Sequence, residues 1–251
     1  MTGAILDIRG LKKSFGGLHV TNDLTYAVRG GALDAIIGPN GAGKSTFFNL
    51  LTGYHRADAG TIVFAGEEIT RAAPERIVKL GISRAFQVSN IFHRMTVFEN
   101  VRTAVQAQTG LSLEFFRPAR GLALDQTDEI IHQCGLASRA GIVSGRLSQG
   151  DKKRLELALA LSGKPKLLLL DEPTAGMSRE EAESTMDLVA ALNRDLGITV
   201  VFTEHDIAAV FKYAERITLL SRGTMIVSGT PEEIRRNEDA QKLYLGESIH
   251  G

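Results

Sequence analysis

The stretch GPNGAGKST, Gly38 to Thr46, is a glycine-rich loop that ends in Lys-Ser-Thr. Its spacing, G-x-x-x-x-G-K-[ST], is that of a P-loop, which grips a polyphosphate. Glycines let successive backbone N–H groups face inward on an anion, and a helix starting directly behind them adds its partial positive charge. The backbone of Gly38, Pro39, Asn40 and Gly41, continued by Ala42 and Gly43, is the candidate cradle. Lys44 is then placed to reach the β- and γ-phosphates, and Ser45 to offer a hydroxyl to Mg²⁺. A P-loop also needs a carboxylate across the metal, and LLLLDE supplies Asp171 and Glu172 at the end of an apolar run. Asp171 suits the metal, through water, and Glu172, pointing elsewhere, suits an attacking water.

Three further residues carry weaker signals when taken singly. His205 follows the apolar run ITVVFTE at the strand end where open parallel sheets hold their ligands, within reach of a γ-phosphate. Gln87 follows ISRAF, where a polar residue is usually an ordinary loop residue. Phe15, in KSFGG, is an aromatic that could stack on a base or simply fill core. A fourth feature is LSQGDKKRLELALAL, which reads as a helix capped by Ser148, with Asp151 three residues on. Its small first turn, Ser148 and Gly150, is expected to leave N–H groups uncovered for a second anion.

Alternating strands and amphipathic helices must position these groups. Leu24, Tyr26 and Val28 alternate on one face, Gly30-Gly31 turns the chain, and Leu33 to Ile37 begins an apolar strand ahead of the P-loop. TIVFAGEEI gives a short strand and turn, Pro74 starts a helix that Gly81 stops, and ISRAF is a strand ending at Gln87. From about residue 90 to 146 the pattern is helical, with a capping box at Thr96 and Glu99 and an amphipathic segment, DQTDEIIHQCGL, ending near Gly135. KLLLLDE and GITVVFTEH read as strands buried on both faces, with a helix capped by Ser178 and Glu181 between them and another over 206–214. RITLLSRGTMIVSG is a strand pair turning at Arg222-Gly223, and Thr230-Pro231 opens a last short helix.

Composition narrows the function classes. The 251 residues suit one large α/β domain with a smaller insertion. Lys plus Arg and Asp plus Glu number 29 each, so no overall field draws the chain to nucleic acid or anionic lipid. The single cysteine, Cys134, is expected to be a small buried hydrophobe and suits a reducing compartment. No apolar run reaches the roughly 18 to 20 residues that span a bilayer, and the N-terminus lacks a secretory apolar core, so a soluble, unexported chain is expected.

Taken in order, GPNGAGKST, Gln87, LSQGD, LLLLDEPTAGMS and His205 resemble the motif series of ABC-type ATPases, over essentially the whole chain. The resemblance implies a P-loop NTPase fold of the ABC type: a mixed core sheet, an antiparallel β subdomain and a helical insertion. It divides the single nucleotide-binding domain, 1–251, into a core over 1–89 and 164–251 and a helical subdomain over 90–163. It also makes Phe15 the adenine-stacking residue, gives Thr46 with Lys44 and Ser45 to phosphates and Mg²⁺, and has Gln87 link the metal to the helical subdomain. Glu172 becomes the catalytic base and His205 the switch residue. Ser148, Gln149 and Gly150 would face the γ-phosphate of ATP on an opposing subunit. Two departures stand out: the family's LSGGQ is here Leu-Ser-Gln-Gly-Asp, and the loop after Glu172, often ending SALD, reads AGMS.

LSQGDKKRLELALAL, DEPTAGMS, TEHD and the terminal YLGE further resemble the longer ATPase subunit of importers for branched-chain amino acids and related amides, and residues 106–124 fit that type's extra length. This implies a second ATPase subunit, identical or different, two permease subunits and, indirectly, a substrate-binding protein, with no nucleic acid. The expected place is the cytoplasmic face of the inner membrane. A nucleotide kinase or switch GTPase would lack the signature helix. ABC proteins of repair or translation would carry a long coiled coil or a second cassette. The ATPase of a lipopolysaccharide or lipid exporter is the remaining alternative.

Overall fold

The computed structural model describes residues 3–85, 91–108 and 119–245. Two sheets carry the architecture. Strands β1 (Ala4–Phe15), β2 (Leu18–Arg29), β4 (Ala59–Phe64) and β5 (Glu67–Glu68) form an antiparallel sheet in the order β2-β1-β4-β5. Strands β3 (Leu33–Ile37), β6 (Ile82–Ala85), β7 (Leu167–Asp171), β8 (Thr199–Thr203), β9 (Arg216–Ser221) and β10 (Thr224–Gly229) form the core sheet in the order β10-β9-β3-β8-β7-β6. Its strands run parallel except β10, which returns antiparallel beside β9.

The continuous apolar runs follow from burial on both faces. Leu168 and Leu170 of β7 point into one cluster, with Val200 and Phe202 of β8, while Leu167, Leu169 and Val201 point into another. Helix α1 (Lys44–Leu51) fills the second cluster: Phe47, Phe48 and Leu51 lie between Ile36 and Leu220 of the core sheet and Leu6, Ile8 and Phe64 of the antiparallel sheet. Each of these phenylalanines is fully enclosed, so truncation to alanine costs about 3–5 kcal/mol.

Beyond the other face lie α3 (Val97–Gln108), α4 (Ala119–Gln133), α5 (Gln149–Leu161) and α6 (Arg179–Leu196), reached after α2 (Pro74–Leu80). The α3 start carries its Thr96–Glu99 box, with Thr96 N–H on Glu99 at 2.8 Å and Glu99 N–H on Thr96 at 3.1 Å. Ser178 and Glu181 cap α6 reciprocally, and Thr230 and Glu233 do the same for α8 (Pro231–Arg236), which follows α7 (Ile207–Tyr213). Cys134 is fully buried between helices, where burial pushes its thiol up to about 12. Helix α4 begins before DQTDEII, at Ala119, and β1 is a twelve-residue strand that the charged opening sequence had concealed. Its alternation is broken by register shifts, including one between Ile8 and Leu11. The part of the 106–124 segment over 109–118 lies outside the described residues, as does the end of YLGE. Among the described residues no helix is long and apolar enough to cross a membrane.

Candidate nucleotide site

The loop from Gly38 to Gly43 joins the carboxyl end of β3 to the first turn of α1. Two of its glycines are imposed by close approach. A Cβ on Gly38 would lie 2.0 Å from the Leu220 carbonyl oxygen, and one on Gly43, at φ 106°, would lie 2.7 Å from that of Val20. The loop is moored to the β9–β10 turn by the Gly223 N–H, which donates to the Ala42 carbonyl at 2.9 Å. Lys44 is buried and curls back, its Nζ donating to the Gly38 carbonyl at 2.6 Å and the Pro39 carbonyl at 3.3 Å. Burial lowers its affinity for a proton, and the charges of Glu172 and Asp171 oppose that. Ser45 is exposed beside it, and Thr46 is half-buried.

The parallel register of β6, β7 and β8 brings the remaining groups to the same edge of the sheet. Asp171, paired in register with Thr203, is held at both oxygens: Oδ1 accepts from Thr203 Oγ1 at 2.8 Å and Oδ2 from an Arg84 NH2 at 2.6 Å. Glu172 takes the left-handed conformation at φ 53°, an uncommon and costly one for this residue type. Its N–H is fixed by the Thr203 carbonyl at 3.1 Å and hydroxyl at 3.2 Å, and its Oε1 lies 2.9 Å from His205 Nε2. Glu204 is buried behind them, accepting from the Thr174 N–H at 2.8 Å and hydroxyl at 2.6 Å with one oxygen, and from the His205 N–H at 3.1 Å with the other. A single carboxylate thus fixes the loop after Glu172 and the backbone of His205. The donors near the loop, the Ser45 hydroxyl and the Asp171 carboxylate, are oxygens and few, which fits a Mg²⁺ ion that keeps waters and phosphate oxygens as its other ligands.

Phe15 ends β1 and stays 42% exposed. His55 meets its ring edge-on at 5.0 Å, and Asp58 secures the strand beneath it, accepting from Lys13 Nζ at 2.9 Å and the Ser14 N–H at 2.7 Å. Gln87 lies outside the described residues.

The other helix start that the sequence offers to an anion heads α5. Ser148 caps α5 as its sequence indicates, accepting from the Asp151 N–H at 3.1 Å. The expected open first turn needs correction at Gly150, which is buried: a Cβ there would be 3.2 Å from Glu181 Oε1 of the α6 cap. Ser148 and Gln149 remain exposed, over a cleft of about 240 Å³ shared with Glu180 and Ser184. Among the described residues no hydrogen bond joins 148–150 to the P-loop, Asp171, Glu172 or His205.

Sequence reasoning did not single out Arg84, Thr203 or Glu204. Thr203 and Glu204 stood in plain view beside His205, in a run otherwise apolar, and a buried polar residue at a strand end is the signal they offered.

Comparison with known proteins follows the same lines. Residues 21–175 match the ABC transporter family, and residues 224–250 match a second family described as branched-chain amino acid ATP-binding cassette transporter. The chain is 36% identical to the high-affinity branched-chain amino acid transport ATP-binding protein LivG of Salmonella typhimurium, over 99% of this chain and all of that one. It is 32% identical to the lipopolysaccharide export system ATP-binding protein LptB of Haemophilus influenzae, over 98% of this chain and 99% of that one. The crystal structure of the ADP conformation of MJ1267, an ATP-binding cassette of an ABC transporter, superposes with a TM-score of 0.85 at 27% identity, covering 98% of this chain and all of that one.

Proposed function

We propose that this chain, which belongs to the ABC transporter family, is the ATP-binding and ATP-hydrolysing subunit of an importer that takes up branched-chain amino acids or a related small polar substrate. The observation that carries the ATPase is the Glu172–His205 pair, 2.9 Å apart, beside a P-loop lysine that feels the charge of Glu172. The substrate class rests on the relatives' activity and on the match over residues 224–250.

Each residue has a role in this reading. Phe15 stacks on adenine. The N–H groups of Gly38 to Gly43 and the Lys44 ammonium take up the β- and γ-phosphates, Lys44 exchanging its carbonyl partners for phosphate oxygens. Ser45, Gln87 and Asp171 would hold Mg²⁺, which when bound offsets the charge of the phosphates, and Thr46 takes a phosphate oxygen beside Lys44. Gln87 joins the metal to the helical part. Glu172, set by its backbone bonds to Thr203, draws the proton from a water as the water oxygen adds to the γ-phosphorus, and the bond to the bridging oxygen breaks to leave ADP and phosphate. His205 orients Glu172 and contacts the γ-phosphate.

Ser148 and Gln149 act in trans, with the buried Gly150 keeping the turn behind them small, and close on the γ-phosphate held by a second ATPase subunit, so two chains close head to tail on two ATP molecules. ATP favours closure because its γ-phosphate binds the closed state better than ADP can. Residues 1–89 and 164–251 work as the core and 90–163 as the helical subdomain that passes the motion to two permease subunits at the cytoplasmic face of the membrane. A substrate-binding protein acts through those permeases, and nucleic acid has no part.

The test is reconstitution of the chain with its permeases and binding protein in vesicles. Leucine, isoleucine, valine or a small amide should raise ATP hydrolysis and enter the vesicles with it. The 32% relative favours one other reading, lipopolysaccharide export. Stimulation by lipopolysaccharide and by none of the amino acids or amides would replace the import reading with that one.

A further inference from the structure

Arg84 stands at an unusual junction. It projects from β6, the edge strand of the core sheet, and is largely buried together with its ion-pair partner Asp171. One guanidinium nitrogen donates to Asp171 Oδ2 at 2.6 Å and the other to Asn49 Oδ1 at 2.6 Å, while the guanidinium carbon lies 5.4 Å from the centre of the Phe48 ring. Asn49 lies four residues after Ser45 on α1, and positions so spaced share one face of a helix. The two arms of one rigid fork therefore bracket the helix face that carries Ser45 and the carboxylate at the end of β7. Thr203 holds the other oxygen of that carboxylate from the far side. Arg84 Nε is buried with no hydrogen-bond partner among the described residues, a cost that fits a fork oriented by Asp171 and Asn49.

Arg84 also lines a groove of about 530 Å³, whose walls include Asn49, Tyr54, Gln108 and Glu156. The metal-side carboxylate is thus one side chain away from a surface open to the outside.

We propose that Arg84 is a positioning residue for the hydrolytic site, fixing the Asp171 carboxylate against the Ser45 face of α1 so that the two together can hold a divalent cation. The proposal rests on the reading of Asp171 as the metal-side carboxylate. An arginine is required because its planar fork bonds two acceptors in fixed directions, whereas a lysine ammonium can neutralise Asp171 without tying it to Asn49.

The experiment measures Mn²⁺ affinity by electron paramagnetic resonance on the full chain saturated with a non-hydrolysable ATP analogue, and affinity for the same analogue in EDTA. Arg84→Met should weaken Mn²⁺ by about tenfold or more, the usual scale for groups that orient a metal ligand, and leave the affinity in EDTA within about twofold. Arg84→Lys should fall between the two. If Arg84→Met does not fold, Asn49→Ala frees one arm of the fork, keeps the ion pair and should weaken Mn²⁺ by a smaller factor in a chain that still binds the analogue normally in EDTA. Native Mn²⁺ affinity in the folded variants, or an equal loss in EDTA, would overturn the proposal. Asp171→Asn separates the two readings: if it leaves Mn²⁺ affinity native, the assignment of Asp171 has failed, and if it alone weakens Mn²⁺, only the role of Arg84 has.

Discussion

Two helix starts in this chain are proposed to meet phosphate, and they differ in what surrounds them. The α1 start has Gly43 at its cap with no side-chain hydrogen bond, and the parallel sheet brings Asp171, Glu172 and His205 to its side. The α5 start has the Ser148 hydroxyl on one of its own N–H groups, and its neighbours are Asp151, Glu180 and Glu181 with the cation Arg154 beside them, and no phosphate loop. One end is finished within the chain. The other, on the proposed reading, meets a phosphate only when a second chain brings it.

The widest break in that comparison comes from Lys44→Ala, which removes the buried ammonium from the finished end. Equilibrium binding should show ATP binding abolished, and unchanged affinity would unseat the P-loop assignment. Next is Glu172→Gln, expected to lower turnover by about 10² to 10⁴ while ATP still binds and closed dimers accumulate in sedimentation. Normal hydrolysis by this variant would remove Glu172 as the base.

The contrast sharpens with Ser148→Ala. It costs α5 about 1 kcal/mol through the lost cap, and should leave ATP binding by the isolated chain within about twofold while hydrolysis falls by about tenfold or more. Mixing Ser148→Ala with Lys44→Ala chains should restore hydrolysis, because a mixed pair contains one intact P-loop facing one intact signature helix. Recovery that fails in demonstrated mixed dimers would count against the division between chains.

The smallest effect belongs to the opposite end of the same sheet, where Asp34 is buried in β3. Burial, and then the Glu215 charge, raise its carboxyl to about 6 from 3.8, with Arg216 and Arg29 pulling it down. The folded state thus holds the proton more tightly than the unfolded chain. Stability is unpenalised below about pH 4, declines as pH rises towards 6, and carries the whole penalty of about 2–3 kcal/mol above it. Asp34→Asn should therefore raise chemical-denaturation stability by about 1–3 kcal/mol at pH 7.5, with the gain shrinking towards pH 4, and leave ATP binding untouched. A gain that is flat with pH would show that the charge is not the cause.

What could be read beforehand divides along the same physical line. The P-loop was legible because its chemistry is consecutive in the chain, and β7 and β8 because strands buried on both faces are unbroken in apolarity. The partners of Asp171 were not legible, because Arg84 and Thr203 meet it only through the parallel register of three strands distant in sequence. Gly150 was misread as open for a similar reason: Glu181 of α6 reaches it from thirty-one positions away. Even the length of β1 was hidden, since its bulges shift the polar and apolar alternation out of phase.

The seat of α1 has a mechanical side. Phe47 and Phe48 wedge the helix between two sheets at once, and Gly223 ties the loop ahead of it to the β9–β10 turn of the core sheet. A pull on Lys44 is therefore borne by the packed residues beneath the helix, Phe47, Phe48 and Leu51, and through them by strands of both sheets.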